Sequence, residues 1–274
     1  MNQIPRPKIR SSLRRSIGKE YFILKRRLKW RFGNHDWAST RSQSSLDHLV
    51  FSHKSIIRRP LKDVDMYLQD NKRKNLVLAI KPINNLLIQP GQSFSIWKMV
   101  GRPTKSKGYE EGLVLQQGKI KKGTGGGLCQ LGNLLFWIFA HSPLTIVERH
   151  RHEYDVFPDF KRTVPFGAGA TLAYNYIDLI VKNNSAFTFQ IKLWIDDTYL
   201  QGKLICDTVL NASYKIEERN HHVKKQWWGG YSRHNEIVKI VTNKNGEIHE
   251  SLLAENNAIM MYEPLLQESQ FNNY

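Results

Sequence analysis

Residues 124–141 read TGGGLCQLGNLLFWIFAH. Three glycines stand directly before one of the chain's two cysteines, and an apolar run of helical length follows. Glycine has no Cβ and enters left-handed backbone at little steric cost, so a triplet marks a turn, not the interior of an element. Leu128–His141 is therefore expected to be a helix, stopped by Pro143. Working outward, helical spacing concentrates before residue 142 and strand-like alternation after it. That segregation predicts an α+β fold: a mostly antiparallel sheet with a central helix following the Gly-rich turn.

Downstream, Leu144–Tyr154 (LTIVERHRHEY) and Thr171–Lys182 (TLAYNYIDLIVK) read as strands. Phe187–Ile195 and Leu200–Cys206 read as a hairpin pair, and Glu236–Val241 pairs with a further strand through the Lys244-Asn245-Gly246 turn. Upstream, a helix is expected from about Asp63, burying Met66, Leu68, Leu76, Ala79, Ile80 and Ile83, with Pro82 at its end. Gln89–Gln92 signals a turn, Ser93–Trp97 a strand and Leu113–Leu115 a short strand. Residues 33–60 read as a polar connector with short structure. The expected division is 1–60 for a basic N-terminal region and connector, 61–210 for the main domain and 211–274 for a β-hairpin extension.

The 274 residues are 41% hydrophobic, a globular composition, and carry a net charge of +17. Such an excess favours anionic partners without choosing among them. Much of it lies between Arg6 and Arg31, where eleven Lys and Arg residues, among them Lys8 and Arg10, are opposed by Glu20 alone. Leu13, Ile17, Tyr21, Leu24, Leu28 and Phe32 recur among them every three or four residues, as on one helical face. This basic amphipathic helix has three readings: contact with an anionic membrane surface, docking on its own domain, or nucleic-acid binding. A secretory signal needs roughly 7–15 apolar residues and a membrane span roughly 20. Neither stretch occurs, so the expected location is cytoplasmic, with peripheral contact at the inner face of the membrane as the helix's option.

Cys129 would sit in the first turn of its helix, beside unpaired N–H groups and the positive end of the helix dipole. Both favour a thiolate, hence a nucleophile or a metal ligand; the bland alternative is a small buried packing residue. Gly125, Gly126, Gly127 and Gln130 would supply backbone or side-chain contacts to a ligand or an oxyanion. On a strand, Glu148, His150, His152 and Tyr154 share one face. The histidines suit a general base with its orienter, a zinc set with Cys129, or an exposed mixed-charge face. Asp178, inside an apolar run, must be paired or hydrogen-bonded; it could orient a histidine or cap a turn. No phosphate loop, dinucleotide fingerprint, HExxH or Gly-x-Ser-x-Gly pattern is present, so no cofactor is expected.

Four stretches together carry a resemblance: Pro90–Trp97 (PGQSFSIW), Gly125–Leu131 (GGGLCQL), Ile146–His152 (IVERHRH), and Gly169-Ala170-Thr171 through Tyr176–Leu179. In order and spacing the chain resembles the VanW family over about Leu76 to Asp207. The family pattern has Ser three residues after the cysteine, where this chain has Gly132. The resemblance implies association with glycopeptide resistance and with cell-wall precursor metabolism, and names no reaction. The layout is also similar, at the level of fold analogy, to papain-like cell-wall peptidases. Two readings follow. One is a Cys–His acyl or amide hydrolase or transferase, with Cys129 as nucleophile, His150 or His152 as base, and Asp178 or Glu148 as orienter. The other is a non-catalytic protein that binds an anionic cell-wall precursor at the inner membrane surface.

Overall fold

The apolar run after Cys129 folds as the helix Cys129–Ala140, and nine of its twelve residues are buried. The computed structural model describes residues 11–58, 65–116, 119–156 and 163–264. In chain order its first elements are α1 (Ser12–Phe32), β1 (His48–Ile56), α2 (Met66–Ile80), β2 (Leu86–Ile88), β3 (Ser93–Ser95) and α3 (Ile96–Val100). Next come β4 (Glu111–Gln116), β5 (Lys119–Thr124), α4 (Cys129–Ala140), β6 (Thr145–Glu148), β7 (Tyr154–Asp155) and β8 (Ile180–Lys182). The last are β9 (Phe189–Ile195), β10 (Tyr199–Cys206), β11 (Ala212–Lys225), β12 (Tyr231–Asn243) and β13 (Ile248–Met260).

The chain is an α+β protein built mostly from antiparallel sheets. One sheet runs β1-β10-β9-β2, a second β3-β8-β6, and β4 pairs with β5 as a hairpin. A fourth runs β11-β12-β13-β7, where only the last pairing is parallel. Helix α4 lies against β1, β10 and β6. Its Leu135, Phe136 and Phe139 are 0% exposed, and such side chains each contribute about 1.5–3 kcal/mol on burial. Gly202 of β10 admits the helix: a Cβ there would stand 2.8 Å from Ile138 Cδ1.

The sequence expectations meet several corrections. Residues 33–60 hold a full strand, β1, which pairs with β10 along its length. Of the expected strand Leu144–Tyr154 only Thr145–Glu148 is paired in one run, and of Thr171–Lys182 only Ile180–Lys182. The intervening residues turn too sharply to continue a ladder; Ala173 and Ile177 close a tight turn through mutual backbone hydrogen bonds of 2.9 and 3.0 Å. Met66, expected to be buried, is 61% exposed at the start of α2. The expected start of α2 near Asp63, and the cations Arg6, Lys8 and Arg10, lie outside the described residues.

Helix α1 starts at Ser11, whose hydroxyl accepts from the Arg14 N–H at 3.4 Å. It ends where the Gly33 N–H bonds the Lys29 carbonyl; a Cβ on Gly33 would stand 2.4 Å from that oxygen. Docking centres on one strip, flanked by Phe22 against the Tyr176 ring at 6.1 Å between centroids and by Glu20 bonded to Arg102 at 3.0 Å. Ile23 is 2% exposed, Arg26 reaches Glu148, and the Trp30 ring meets Trp37 edge-on at 6.5 Å between centroids. The opposite side carries Leu13, Ile17, Tyr21, Leu24, Leu28 and Phe32, all exposed.

Candidate functional site

The glycine triplet does not leave open backbone. Gly125 and Gly127 have φ of 75° and 92°, the left-handed region that favours glycine. Gly126 lies directly on Gly112 of β4, where a Cβ would come within 2.1 Å of the Gly112 carbonyl carbon. The space over Gly127 is filled by the Lys72 side chain, 2.2 Å from where a Cβ would be. Buried Asn75 of α2 clamps the turn, its amide donating to the Gly126 and Glu110 carbonyls at 3.0 and 3.1 Å. The N–H groups of Gly125, Gly126 and Gly127 donate to Glu110, Gly123 and Leu113, and that of Gln130 to Gly127. The expected ligand-facing glycines thus join α2, the β4–β5 hairpin and the start of α4. Gln130 does similar work, its amide donating to Ser55 and Ile56 at the end of β1.

Cys129 opens α4 as the sequence indicates, but its sulfur is closed by backbone. It accepts from the Leu172 N–H at 3.4 Å and donates to the Leu172 carbonyl at 3.8 Å. Both contacts can be made together by a thiol, whose S–H donates while its sulfur accepts. The residue as a whole is half-buried while its sulfur is enclosed. Burial pushes the thiol pKa up, outweighing the N–H groups of Leu172 and of Cys129 itself, which pull it down. The expected thiolate is therefore reversed in direction: loss of water costs the charge more than the helix start returns. Gly132, one turn on, permits this closeness, since a Cβ there would stand 2.9 Å from the Ala170 carbonyl oxygen. Asn133 completes the clasp by accepting from the Ala170 N–H at 2.8 Å.

The shared-face argument for Glu148, His150, His152 and Tyr154 is lost with the strand. Glu148 ends β6, and its carboxylate receives both guanidinium nitrogens of Arg26, each at 2.6 Å. The same Arg26 donates to the Tyr176 carbonyl at 3.2 Å. Exposed His150 keeps Nε2 3.5 Å from Glu148, and its carbonyl accepts from the Thr171 N–H at 2.8 Å. His152 is turned into the protein, where burial and then neighbouring Arg151 bring its pKa down to about 4. Nothing hydrogen-bonds the Cys129 sulfur to either histidine. Among the described residues no three His, Cys, Asp or Glu side chains gather to hold a metal, so Cys129, His150 and His152 do not form the zinc set that the sequence left as an alternative.

Asp178 is fully buried and meets its hydrogen-bonding requirement without a histidine. Ser95 donates to one carboxylate oxygen at 2.5 Å; the Leu179 and Trp97 N–H groups donate to the other at 2.8 and 3.3 Å. Burial pushes its pKa up to about 7; Glu148 adds to the rise and the three donors oppose it. The Asp178 N–H in turn donates to Glu148 at 3.2 Å. Asp178 therefore stitches β3 and the start of α3 to the segment entering β8, and Trp97 adds an indole bond to the Ile177 carbonyl at 2.8 Å. Neighbouring Asn175 is 0% exposed, with neither amide atom hydrogen-bonded.

Several of these residues meet the segment 169–179 from two sides, whereas the glycine triplet and Gln130 bond α2, the β4–β5 hairpin and β1. Cys129, Gly132 and Asn133 hold its first half, while Arg26, Glu148, Ser95 and Trp97 hold its second. Arg26 was invisible as a partner in the sequence, one cation among eleven. A cleft of about 690 Å³ lies beside β6, lined among others by Leu144, Ile146, Arg149, Lys239 and Leu253; Arg149 also donates to the Gly169 carbonyl at 2.8 Å, at the start of the same segment.

These features define an α+β protein whose glycine–cysteine turn, acid–histidine segment and buried aspartate belong to one packed unit. A family model described as VanW like protein matches residues 71–205, which contain all of these motifs. The chain is 35% identical over 237 residues, 86% of each sequence, to the vancomycin B-type resistance protein VanW of Enterococcus faecalis (strain ATCC 700802 / V583). It is 32% identical over 122 residues to the uncharacterized protein YoaR of Bacillus subtilis (strain 168), covering 44% of this chain and 39% of that one. The chain belongs to the VanW family. No solved structure matches it.

Proposed function

We propose that this chain is an accessory protein of vancomycin resistance that binds an anionic cell-wall precursor and does not transform it. The 35% identity to a vancomycin B-type resistance protein over 86% of both chains supports the association with resistance. The binding role is favoured by one observation above all: the Cys129 sulfur is closed in by the Leu172 N–H and carbonyl at 3.4 and 3.8 Å, a setting that favours the thiol over the thiolate. A nucleophile needs a base within hydrogen-bond reach and free donors for an oxyanion. Here the N–H groups of Gly127 and Gln130 are already spent within the turn, Glu148 is held by Arg26, and Asp178 by Ser95. The net charge of +17 supports an anionic ligand. This reading requires neither a papain-like layout nor a metal.

The test is glycopeptide susceptibility of a strain whose resistance depends on this chain. Cys129→Ser, which keeps a small hydrogen-bonding group, should leave resistance within about twofold of the parent. Loss of resistance with a normally folded variant would overturn the binding reading in favour of a Cys–His hydrolase or transferase.

A further inference from the structure

Helix α1 turns its apolar side away from the protein. At roughly 100° per residue, Leu13, Ile17, Tyr21, Leu24, Leu28 and Phe32 form one stripe, and Ile23, Arg26 and Trp30 form another on nearly the opposite side. The second stripe is the docked one. Exposure across the first runs from 49% at Leu28 to 80% at Phe32, so none of its side chains is spent on the fold. It extends about 28 Å along the helix. Single exposed leucines are ordinary on a protein surface, but a continuous apolar row of this length marks an interaction site.

The charges decide what covers it. Arg14 and Lys25 border the stripe on one side and Arg27 on the other, with Lys29 and Arg31 near its C-terminal end; all are exposed. The helix's one acid, Glu20, is bonded to Arg102 at 3.0 Å. A second copy of this helix laid face to face would bring these cations together and repel. Nucleic acid would satisfy the cations and leave the apolar row in water. An anionic phospholipid surface satisfies both, apolar side chains entering the acyl boundary and cations meeting the headgroups. Tyr21, with an apolar ring and a polar tip, suits that boundary.

We infer that α1 is an interfacial helix, lying in the plane of an anionic bilayer with its stripe inserted. Docking through Arg26 to Glu148 and Tyr176 then holds the 169–179 segment directly beneath the membrane-facing helix. The inference stands on α1 alone and does not depend on what Cys129 does.

Co-sedimentation of the full chain with phosphatidylglycerol–phosphatidylcholine vesicles tests it. The parent should bind these vesicles, bind pure phosphatidylcholine at least about tenfold more weakly, and weaken as salt rises. Leu24→Ser with Leu28→Ser should lose on the order of tenfold in affinity at an unchanged thermal midpoint, because both residues are exposed. Lys25→Gln with Lys29→Gln should weaken binding to the anionic vesicles and leave the little seen with neutral ones unchanged. Full binding by the serine variant would mean charge alone acts and would overturn the inference. So would absence of vesicle binding by the parent, or self-association of the parent that the serine variant abolishes. Failure of the parent to bind vesicles while it still confers resistance would sink the interfacial helix and leave the accessory reading standing.

Discussion

Helices α1 and α4 are written in the same code and used in opposite ways. Both have apolar residues at helical spacing; α4 buries nine of twelve residues, whereas α1 leaves its whole apolar stripe in solvent. The difference lies in what each can meet. α4 follows a turn clamped by Asn75 and enters a space walled by β1, β10 and β6, with Gly202 cut away to receive it. α1 reaches the domain through a cation and a few large side chains, and those sit off its apolar row. Periodicity therefore announces a helix with a face, and the surroundings decide where that face is spent.

The sharpest way to break the comparison is to truncate the two faces equally. Phe136→Ala in α4 should cost about 3–5 kcal/mol, the price of an aromatic-sized cavity in a packed core, read as a fall in the urea midpoint. Leu24→Ala in α1 should cost under about 0.5 kcal/mol by the same measurement. Similar losses at the two positions would show that the α1 stripe is packed in solution.

Next in size is the contact by which α1 is held. Arg26 and Glu148 keep only 11% and 17% of their side chains exposed, so Arg26→Ala strands a largely buried carboxylate. Destabilisation of roughly 2–4 kcal/mol is expected, and Glu148→Gln in the same chain should recover part of it. A double-mutant cycle with no coupling would show that the strap carries no energy.

Acidity acts in opposite directions on His152 and Asp178. The pKa of His152 is depressed to about 4, so its stabilising contribution is complete above its unfolded pKa near 6.5 and is lost as pH falls towards 4. Asp178 is raised to about 7, so its contribution is complete below about 4 and is lost as pH rises towards 7. The two slopes oppose each other in the parent. His152→Gln should expose the Asp178 slope, becoming relatively more stable at pH 5 than at pH 7 by about 1–2 kcal/mol compared with the parent. Asp178→Asn should tilt the curve the other way. Urea midpoints at the two pH values read both, and parallel curves for all three proteins would refute the assignment.

The smallest effect is expected at Cys129. Cys129→Ser should change stability by about 1 kcal/mol or less, because the hydroxyl keeps both Leu172 partners. Iodoacetamide at pH 7 should label Cys129 more slowly than free glutathione. Faster labelling would restore the thiolate that burial removes.

Much of the fold is legible in the sequence. The helix after Cys129, the β9–β10 hairpin and the turn at Lys244–Gly246 are local events, fixed by apolar spacing and by residues that tolerate positive φ. β1 was not legible, because an edge strand in a polar stretch becomes a strand only when β10 lies beside it. The candidate site was half legible. Cys129, Glu148 and His150 bond the segment that carries Asp178, but LTIVERHRHEY alternates without being a continuous strand: the backbone breaks after Glu148, leaving His150 exposed and His152 half-buried.

Local sequence is enough to make Cys129 open a helix behind a glycine turn and to make α1 basic and two-faced. Both follow from local backbone freedom and side-chain period. It takes long-range packing to bring Gly112 and Lys72 onto the glycines, to close Leu172 over the sulfur and to give Glu148 to Arg26. Those outcomes depend on desolvation and on partners outside the local turn, from Gly112 in the preceding hairpin, through Leu172 43 residues away, to Arg26 and Glu148 122 residues apart. No local pattern encodes them.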